Sequence, residues 1–471
     1  MSNISARIER LPFYSFHRRL LFMGGLGYTF GAMEMAVIAF VLPVIKTRWH
    51  LDSFEVGLVA SSPLIGYFFG AFSAGMAGDL IGRRAIMMWA LAIYCVAAFA
   101  SALVNSWEIF FVLRVLAGFG GGAESAIVAP FLSEFAARQY RGRFTGSLAG
   151  FFSFGFVGAA LLGYFVVPPL HDGWRYVIIL TALPVIMLLW WRRVLPESPR
   201  WLDRCGRGAE ASAVLDRMEV EFVSRSGPLP ALPPEEIVPE VPAHKGNFFT
   251  NFGALWSPRL ARITAMSWIL FLTITFTYYA FFTWIPTLLV QNGLTITKSF
   301  SYSIAIYLAQ IPGYYTAAWV NDRVGRQFSI SSYLVLGGIS AIAMTLSHAD
   351  IVILIAGIFM SFFMNGTYAG VYTYISEVFP TELRGTGFGV ASSVGRIGGA
   401  ASPIIVGLIF PSYGFTGVFG LSAVTLIVGA LAVIFLGIPT LNRSLEEIAA
   451  TGAASRMIRL KQETGRAFKG S

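Results

Sequence analysis

The sequence predicts an all-α membrane protein with 12 transmembrane helices in two six-helix bundles, related by pseudo-two-fold symmetry along the membrane normal. Three observations predict it. The 471 residues are 56% hydrophobic and only 13% charged, whereas soluble domains carry about 25% charged residues. Apolar runs long enough to span about 30 Å of hydrocarbon recur along the chain. A charged pattern also occurs twice: Asp79/Asp322, Arg83/Arg326, Glu134/Glu377 and Arg141/Arg384 are each 243 residues apart. A constant offset over four pairs marks a duplicated unit, and each match falls at the edge of an apolar run.

The elements follow in order. Residues 1–19 form a cytosolic N-terminal tail, in which Arg7, Arg10, Arg18 and Arg19 precede a run too long for a cleaved signal. Residues 20–193 form the first bundle, with helices beginning near Leu20, Glu55, Ala85, Trp107, Phe144 and Trp174. Residues 194–257 are polar, and Pro- and charge-rich around Gly227–Pro242, so they read as a cytosolic linker with short helices. Residues 258–439 form the second bundle, with helices beginning near Ile263, Ser299, Phe328, Ile351, Thr386 and Phe415. Residues 440–471 are a cytosolic C-terminal tail.

Charge sets the orientation. Of 34 Lys and Arg, only Lys46, Arg48, Arg175 and Lys298 fall in loops after odd-numbered helices, and Arg114 and Arg396 lie within helices. The rest occupy the termini, the linker and the other loops, which places both termini in the cytoplasm. Topology therefore accounts for the net charge of +9, and nucleic acid is not an expected partner. Cys95 and Cys205 give no disulfide framework, and the five histidines show no metal-ligand spacing. No nucleophile–base set or phosphate loop is visible, so no enzymatic activity and no cofactor are expected.

At the repeated residues the chain resembles the major facilitator superfamily over almost its whole length. The G-D-x-x-G-R-R element at Gly78–Arg84, its weaker copy at Asn321–Arg326, and the Arg-Gly pairs at Arg141 and Arg384 carry the resemblance. Pro196–Leu202 reads P-E-S-P-R-W-L and is similar to the sugar-porter-like branch. Arg114–Glu124 resembles the R-x-x-x-G-x-G-x-G-G-E run of metabolite–proton symporters, the bacterial niacin-transporter-like group and vesicle-glycoprotein-like carriers, which are related to organic anion and cation carriers. Ala32–Met35 and Phe40–Pro43 resemble the same group, which usually has Asp where Glu34 stands. The resemblance implies a multi-pass monomer in a bacterial inner membrane, taking a small molecule by alternating access. Substrate would then bind near mid-membrane between the halves. Asp79, Arg83, Glu134, Arg141, Asp322, Arg326, Glu377 and Arg384 are the expected gating charges, with fixing topology and register as the plainer alternative.

Glu34, Glu124, Arg114 and Arg396 lie inside apolar runs, where each costs several kcal/mol unless paired or wet. None is repeated: the 243-residue offset leads to Thr277, Thr367, Gly357 and Ser153. Unrepeated charges fit an asymmetric ligand. Glu34 and Glu124 are the candidate proton carriers, a proton gradient being the expected driving force. Their alternative is a static ion pair, although Arg114 and Glu124 are about 15 Å apart along one helix. Arg396 offers a bidentate fork for a carboxylate, with Ser392 one turn away on its face; its alternative is a pair with a carboxylate such as Glu34. Tyr28, Tyr279, Tyr368 and Tyr372, with Asn365, are candidates to orient a flat ring, although most such aromatics only pack. Amides are scarce, which speaks against a sugar. The expected function is proton-coupled import of a small aromatic carboxylate, with nicotinate foremost by resemblance. An organic-cation or other metabolite symporter, a multidrug–proton antiporter and a non-transporting sensor are the alternatives.

Overall fold

The computed structural model describes residues 4–232, 248–346, 349–380 and 383–440, within which every regular element is an α-helix. In chain order these are α1 (Ile4–Glu9), α2 (Ser15–Arg48), α3 (Ser53–Ile81), α4 (Arg83–Ser101), α5 (Trp107–Ser133), α6 (Arg138–Val166), α7 (Gly173–Thr181), α8 (Val185–Val194), α9 (Pro199–Arg204) and α10 (Gly208–Ser226). There follow α11 (Phe248–Leu255), α12 (Ala261–Gln291), α13 (Ile296–Leu308), α14 (Gln310–Val324), α15 (Arg326–Leu346), α16 (Asp350–Val378) and α17 (Arg384–Leu436). The chain divides into two compact units, residues 1–239 with 282–304, and residues 240–281 with 305–471.

Among the described residues helices occupy all twelve predicted segments, but not as twelve uninterrupted helices. The first begins at Ser15, before the predicted Leu20. The sixth is split into α7 and α8 at Ala182–Pro184, because a proline cannot supply the backbone donor that a continuous helix needs. The eighth is split at Ala309 into α13 and α14. The eleventh and twelfth run together as α17, bent at Gly414 with φ 58° and ψ −154°. Other ends follow local chemistry. Asp52 and Glu55 exchange backbone–side-chain bonds of 2.7 and 2.9 Å at the start of α3, a capping box. Ser198 caps α9, with Pro199 at its first position.

In the first unit α3 and α5 touch backbone to backbone. A Cβ at Gly66 or Gly70 would collide with the carbonyls of Val115 or Phe119, and one at Gly118 or Gly122 with those of Pro63 or Tyr67. The glycine-rich run after Arg114 is thus read by the fold as a helix–helix seam. Part of the linker folds onto the N-terminal segment from Ile4 onward. Ile4, Ile8 and Leu11 share a buried cluster with Leu215, Met218 and Phe222. Arg7 reaches Asp216 at 2.6 Å and Glu219 at 2.8 Å, and Arg10 reaches Glu219 at 2.7 Å. The C-terminal residues 441–471 and most of the Pro-rich linker stretch fall outside the described residues.

Candidate functional site

The two charged turns fold alike. Gly82 and Gly325, one repeat apart, hold φ of 109° and 92° with ψ of 147° and 149°, a conformation that strains any residue with a Cβ. One helix can therefore stop and the next begin without a spacer. Arg83 Nε then lies 3.3 Å from Glu134 Oε1, and Arg326 Nε lies 3.2 Å from Glu377 Oε1. Both pairs keep some exposure, so each contributes only about 0–1 kcal/mol. Arg384 opens α17 half-buried. The side chains of Asp79, Arg141 and Asp322 lie outside the described residues.

The linker grips the first of these turns. Glu197 accepts the amide of Arg84 at 3.2 Å and that of Ser198 at 2.9 Å. Burial pushes its carboxyl above the usual range, opposed by those two amides. Arg200 donates to the Glu134 carbonyl at 3.2 Å and to Glu9 at 3.1 Å. The P-E-S-P-R segment thus joins the turn, the end of α5 and the N-terminal helix.

Inside the membrane segments the two carboxylates have different surroundings. Arg114 Nη1 lies 2.6 Å from Glu34 Oε1, with side-chain exposures of 0% and 1%. Arg114 Nη2 also donates to the Glu34 carbonyl at 3.0 Å, and Thr181 Oγ1 donates to Glu34 Oε2 at 3.0 Å. The Tyr94 hydroxyl donates to the Thr181 carbonyl. Neither of the pairs weighed from the sequence is this one: Glu34 binds Arg114, on another helix. Glu124 is as deeply buried, at 2%, yet neither carboxylate oxygen has a hydrogen-bond partner among the described residues. It sits against Gly27, where a Cβ would collide with Oε1, and the buried Trp191 ring lies beside the same glycine.

In the second unit the Arg396 segment packs on α12. A Cβ at Gly395 would stand 3.1 Å from Thr275 Oγ1, and one at Gly399 would stand 2.8 Å from the Tyr279 ring. Thr275 receives the Tyr368 hydroxyl at 3.0 Å. Tyr278 contacts Tyr279 and Tyr368 with ring centroids 5.3 and 5.2 Å apart, and Tyr368 stacks on Tyr372 at 6.2 Å. Tyr278, Tyr279, Tyr368 and Tyr372 therefore form one cluster, against which Gly395 and Gly399, on either side of Arg396, pack; half-buried Ser392 lies one turn from Arg396. Asn365 is buried, and its amide donates to the Ser361 carbonyl of its own helix at 3.0 Å. Tyr28 belongs to the first unit, where its hydroxyl donates to the Ser125 carbonyl at 2.9 Å.

Thr181 and Tyr94 were not singled out from the sequence. The signal for Thr181 was Pro184, which marks the break that leaves its hydroxyl beside Glu34. Gln310, whose side-chain oxygen accepts the Tyr278 hydroxyl at 3.2 Å, joins the aromatic neighbourhood. No group of His, Cys, Asp and Glu among the described residues could hold a metal ion.

The sugar (and other) transporter family model matches residues 18–451. A niacin transporter of Acinetobacter baylyi is 34% identical over 449 residues, covering 95% of this chain and 99% of that protein. An inner membrane metabolite transport protein of Escherichia coli is 30% identical over 462 residues, covering 95% and 98%. Organic cation/carnitine transporter 7 of Arabidopsis thaliana is 28% identical, covering 92% and 93%. Among solved structures, the xylose transporter of E. coli in a partially occluded inward-open conformation matches with a TM-score of 0.73 at 17% identity, over 92% of this chain and 100% of that one. That last likeness is one of fold.

Proposed function

The chain belongs to the sugar (and other) transporter family of the major facilitator superfamily, and on that footing we propose that it imports a small aromatic or heteroaromatic carboxylate, nicotinate foremost, together with protons. The observation that carries the proposal is the tyrosine cluster of the second unit, packed beside the helix segment that bears Arg396, in a chain 34% identical to a niacin transporter. A guanidinium can take both oxygens of a carboxylate, and tyrosine faces suit a flat ring. Arg396 is the carboxylate clamp, Tyr279, Tyr368 and Tyr372 face the ring, and Ser392 and Asn365 adjust the fit.

Proton coupling is assigned to Glu124 first and Glu34 second. A proton can exchange at Glu124 without breaking an ion pair, whereas Glu34 must first part from Arg114. Arg83–Glu134 and Arg326–Glu377, with Asp79, Arg141, Asp322 and Arg384, act as gates that hold and release the helix ends. The basic residues support cytoplasmic termini and linker in a bacterial inner membrane.

Counterflow into proteoliposomes with labelled nicotinate, benzoate and carnitine tests the reading. Nicotinate should exchange, and Arg396→Ala should abolish it; undiminished anion uptake by that variant would sink the clamp. Exchange of carnitine instead would favour the organic-cation reading, for which the Arabidopsis relative is the motive. Glu124→Gln should uncouple nicotinate uptake from an imposed pH gradient.

A further inference from the structure

Away from the carboxylates and the tyrosines, the first unit has a cavity of about 650 Å³ where α8 runs into the linker. Six arginines line it: Arg19, Arg84, Arg192, Arg193, Arg207 and Arg217. Three carboxylates stand against them, and each is already engaged. Glu221 takes Arg19 at 2.5 Å, Glu210 takes Arg207 at 2.6 Å, and Glu197 accepts the backbone amides of Arg84 and Ser198. Arg84 spends a guanidinium donor on the Arg192 carbonyl at 2.6 Å. Arg192, Arg193 and Arg217 have no carboxylate partner among the described residues. Three guanidiniums gathered in one concavity repel one another until an anion joins them, and their fork geometry matches phosphate oxygens.

The lip of the cavity narrows the choice of anion. Ile81 and Val194 line it while 61% and 40% exposed, and the neighbouring Leu80 is 81% exposed. Trp190, two residues before Arg192, is 37% exposed on the last turns of α8, and tryptophan gathers where lipid headgroups begin. A soluble phosphate compound gains nothing from an apolar lip, whereas a phospholipid can lay its chains along it. Basic pockets at the ends of membrane helices are suited to such headgroups.

We propose that this cavity binds the phosphate of an anionic phospholipid headgroup, held by Arg192, Arg193 and Arg217, with the acyl chains leaving past Ile81 and Val194. A headgroup seated there touches α8, the linker helix α10 and, through Arg84, the first charged turn.

The test uses the full chain in detergent, with dioleoyl phosphatidylglycerol, dioleoyl phosphatidylcholine and inorganic phosphate as separate probes, read by native mass spectrometry and thermal unfolding. Phosphatidylglycerol should bind saturably and raise the unfolding temperature, with phosphatidylcholine giving no shift. Combining Arg192→Gln, Arg193→Gln and Arg217→Gln should weaken binding roughly a hundredfold, each charge being worth about fivefold. A control of equal charge loss, Arg18→Gln with Arg204→Gln and Arg323→Gln, should leave it within about twofold. Arg217→Gln alone, on an exposed helix face, should weaken it about fivefold and keeps the proposal testable if the triple variant does not fold. An equal loss in the control, or equal binding of the two lipids, overturns the site. An equal shift with inorganic phosphate alone overturns the lipid.

Discussion

The first repeat and the second use the same turns but join their helices differently. Gly70 abuts the Phe119 carbonyl in the first, and Gly313, its counterpart, abuts the Phe362 carbonyl in the second. Around that shared contact the chemistry diverges. Gly118 lets α5 press onto the Pro63 carbonyl, whereas its counterpart Ser361 donates a 2.6 Å hydrogen bond to the Ile306 carbonyl. Arg114 is a buried cation, whereas its counterpart Gly357 is bare and faces Ile306. Duplication preserved the hinge and left the helix interiors free to specialise, the first around carboxylates and the second around tyrosines.

The strongest way to break that contrast is Arg114→Ala. It strands Glu34 as an unpaired buried charge and should cost about 3–5 kcal/mol, read as a lowered unfolding temperature in detergent. Gly357→Ala meets only the flexible end of Ile306 and should cost about 1 kcal/mol. Equal losses would mean that the Glu34–Arg114 pair is not what stabilises the first unit. Combining Glu34→Gln with Arg114→Met should recover most of the loss, since replacing a buried pair is milder than halving it.

A smaller difference is expected at the seam. Gly118→Ala drives a Cβ into the Pro63 carbonyl, which is backbone and cannot swing away, at about 1–3 kcal/mol. Ser361→Ala removes one hydrogen bond within a membrane helix pair, about 0.6 kcal/mol. Thermal unfolding of the two variants side by side should rank them in that order. The turns should behave alike instead. Arg83→Gln and Arg326→Gln should each cost under about 1 kcal/mol of stability while slowing exchange of the proposed substrate. The swap of Arg83→Glu with Glu134→Arg should restore exchange, and a swap without rescue would leave these pairs only a structural role.

The smallest effect concerns the N-terminal helix. Burial raises the Glu219 carboxyl, but the bonds and charges of Arg7 and Arg10 outweigh it and hold the group below its ordinary value. A depressed carboxyl stabilises docking above its unfolded value, and that contribution disappears as pH falls through the lower, docked value. Protease protection of residues 4–9 should therefore persist at neutral pH and fall below about pH 4. Glu219→Gln should show the weakened protection already at neutral pH.

The helix count and the repeated turns could be read in the sequence because hydropathy and the charges of each turn are local. The interruptions were less legible. Pro184 announces one and Pro312, three residues beyond Ala309, another, but where each segment ends depends on what packs against it. The Glu34–Arg114 pair escaped because its partners are 80 residues apart on different helices, where spacing along one helix has nothing to say. That Glu124 has no hydrogen-bond partner among the described residues also depends on neighbouring helices and could not be read from its own. Arg396 and the tyrosines were named separately from their residue types, and the packing that brings their helices together, Gly395 and Gly399 seating α17 on Thr275 and Tyr279, appears only in three dimensions.

The clasp among Glu9, Arg200 and the Glu134 carbonyl gives the outermost helix a mechanical address. A fluorophore or a small binding protein fixed to residues 4–9 sits two side chains from the Arg83–Glu134 contact. It would serve as a reporter of that turn, or as a brake on it, without entering the membrane.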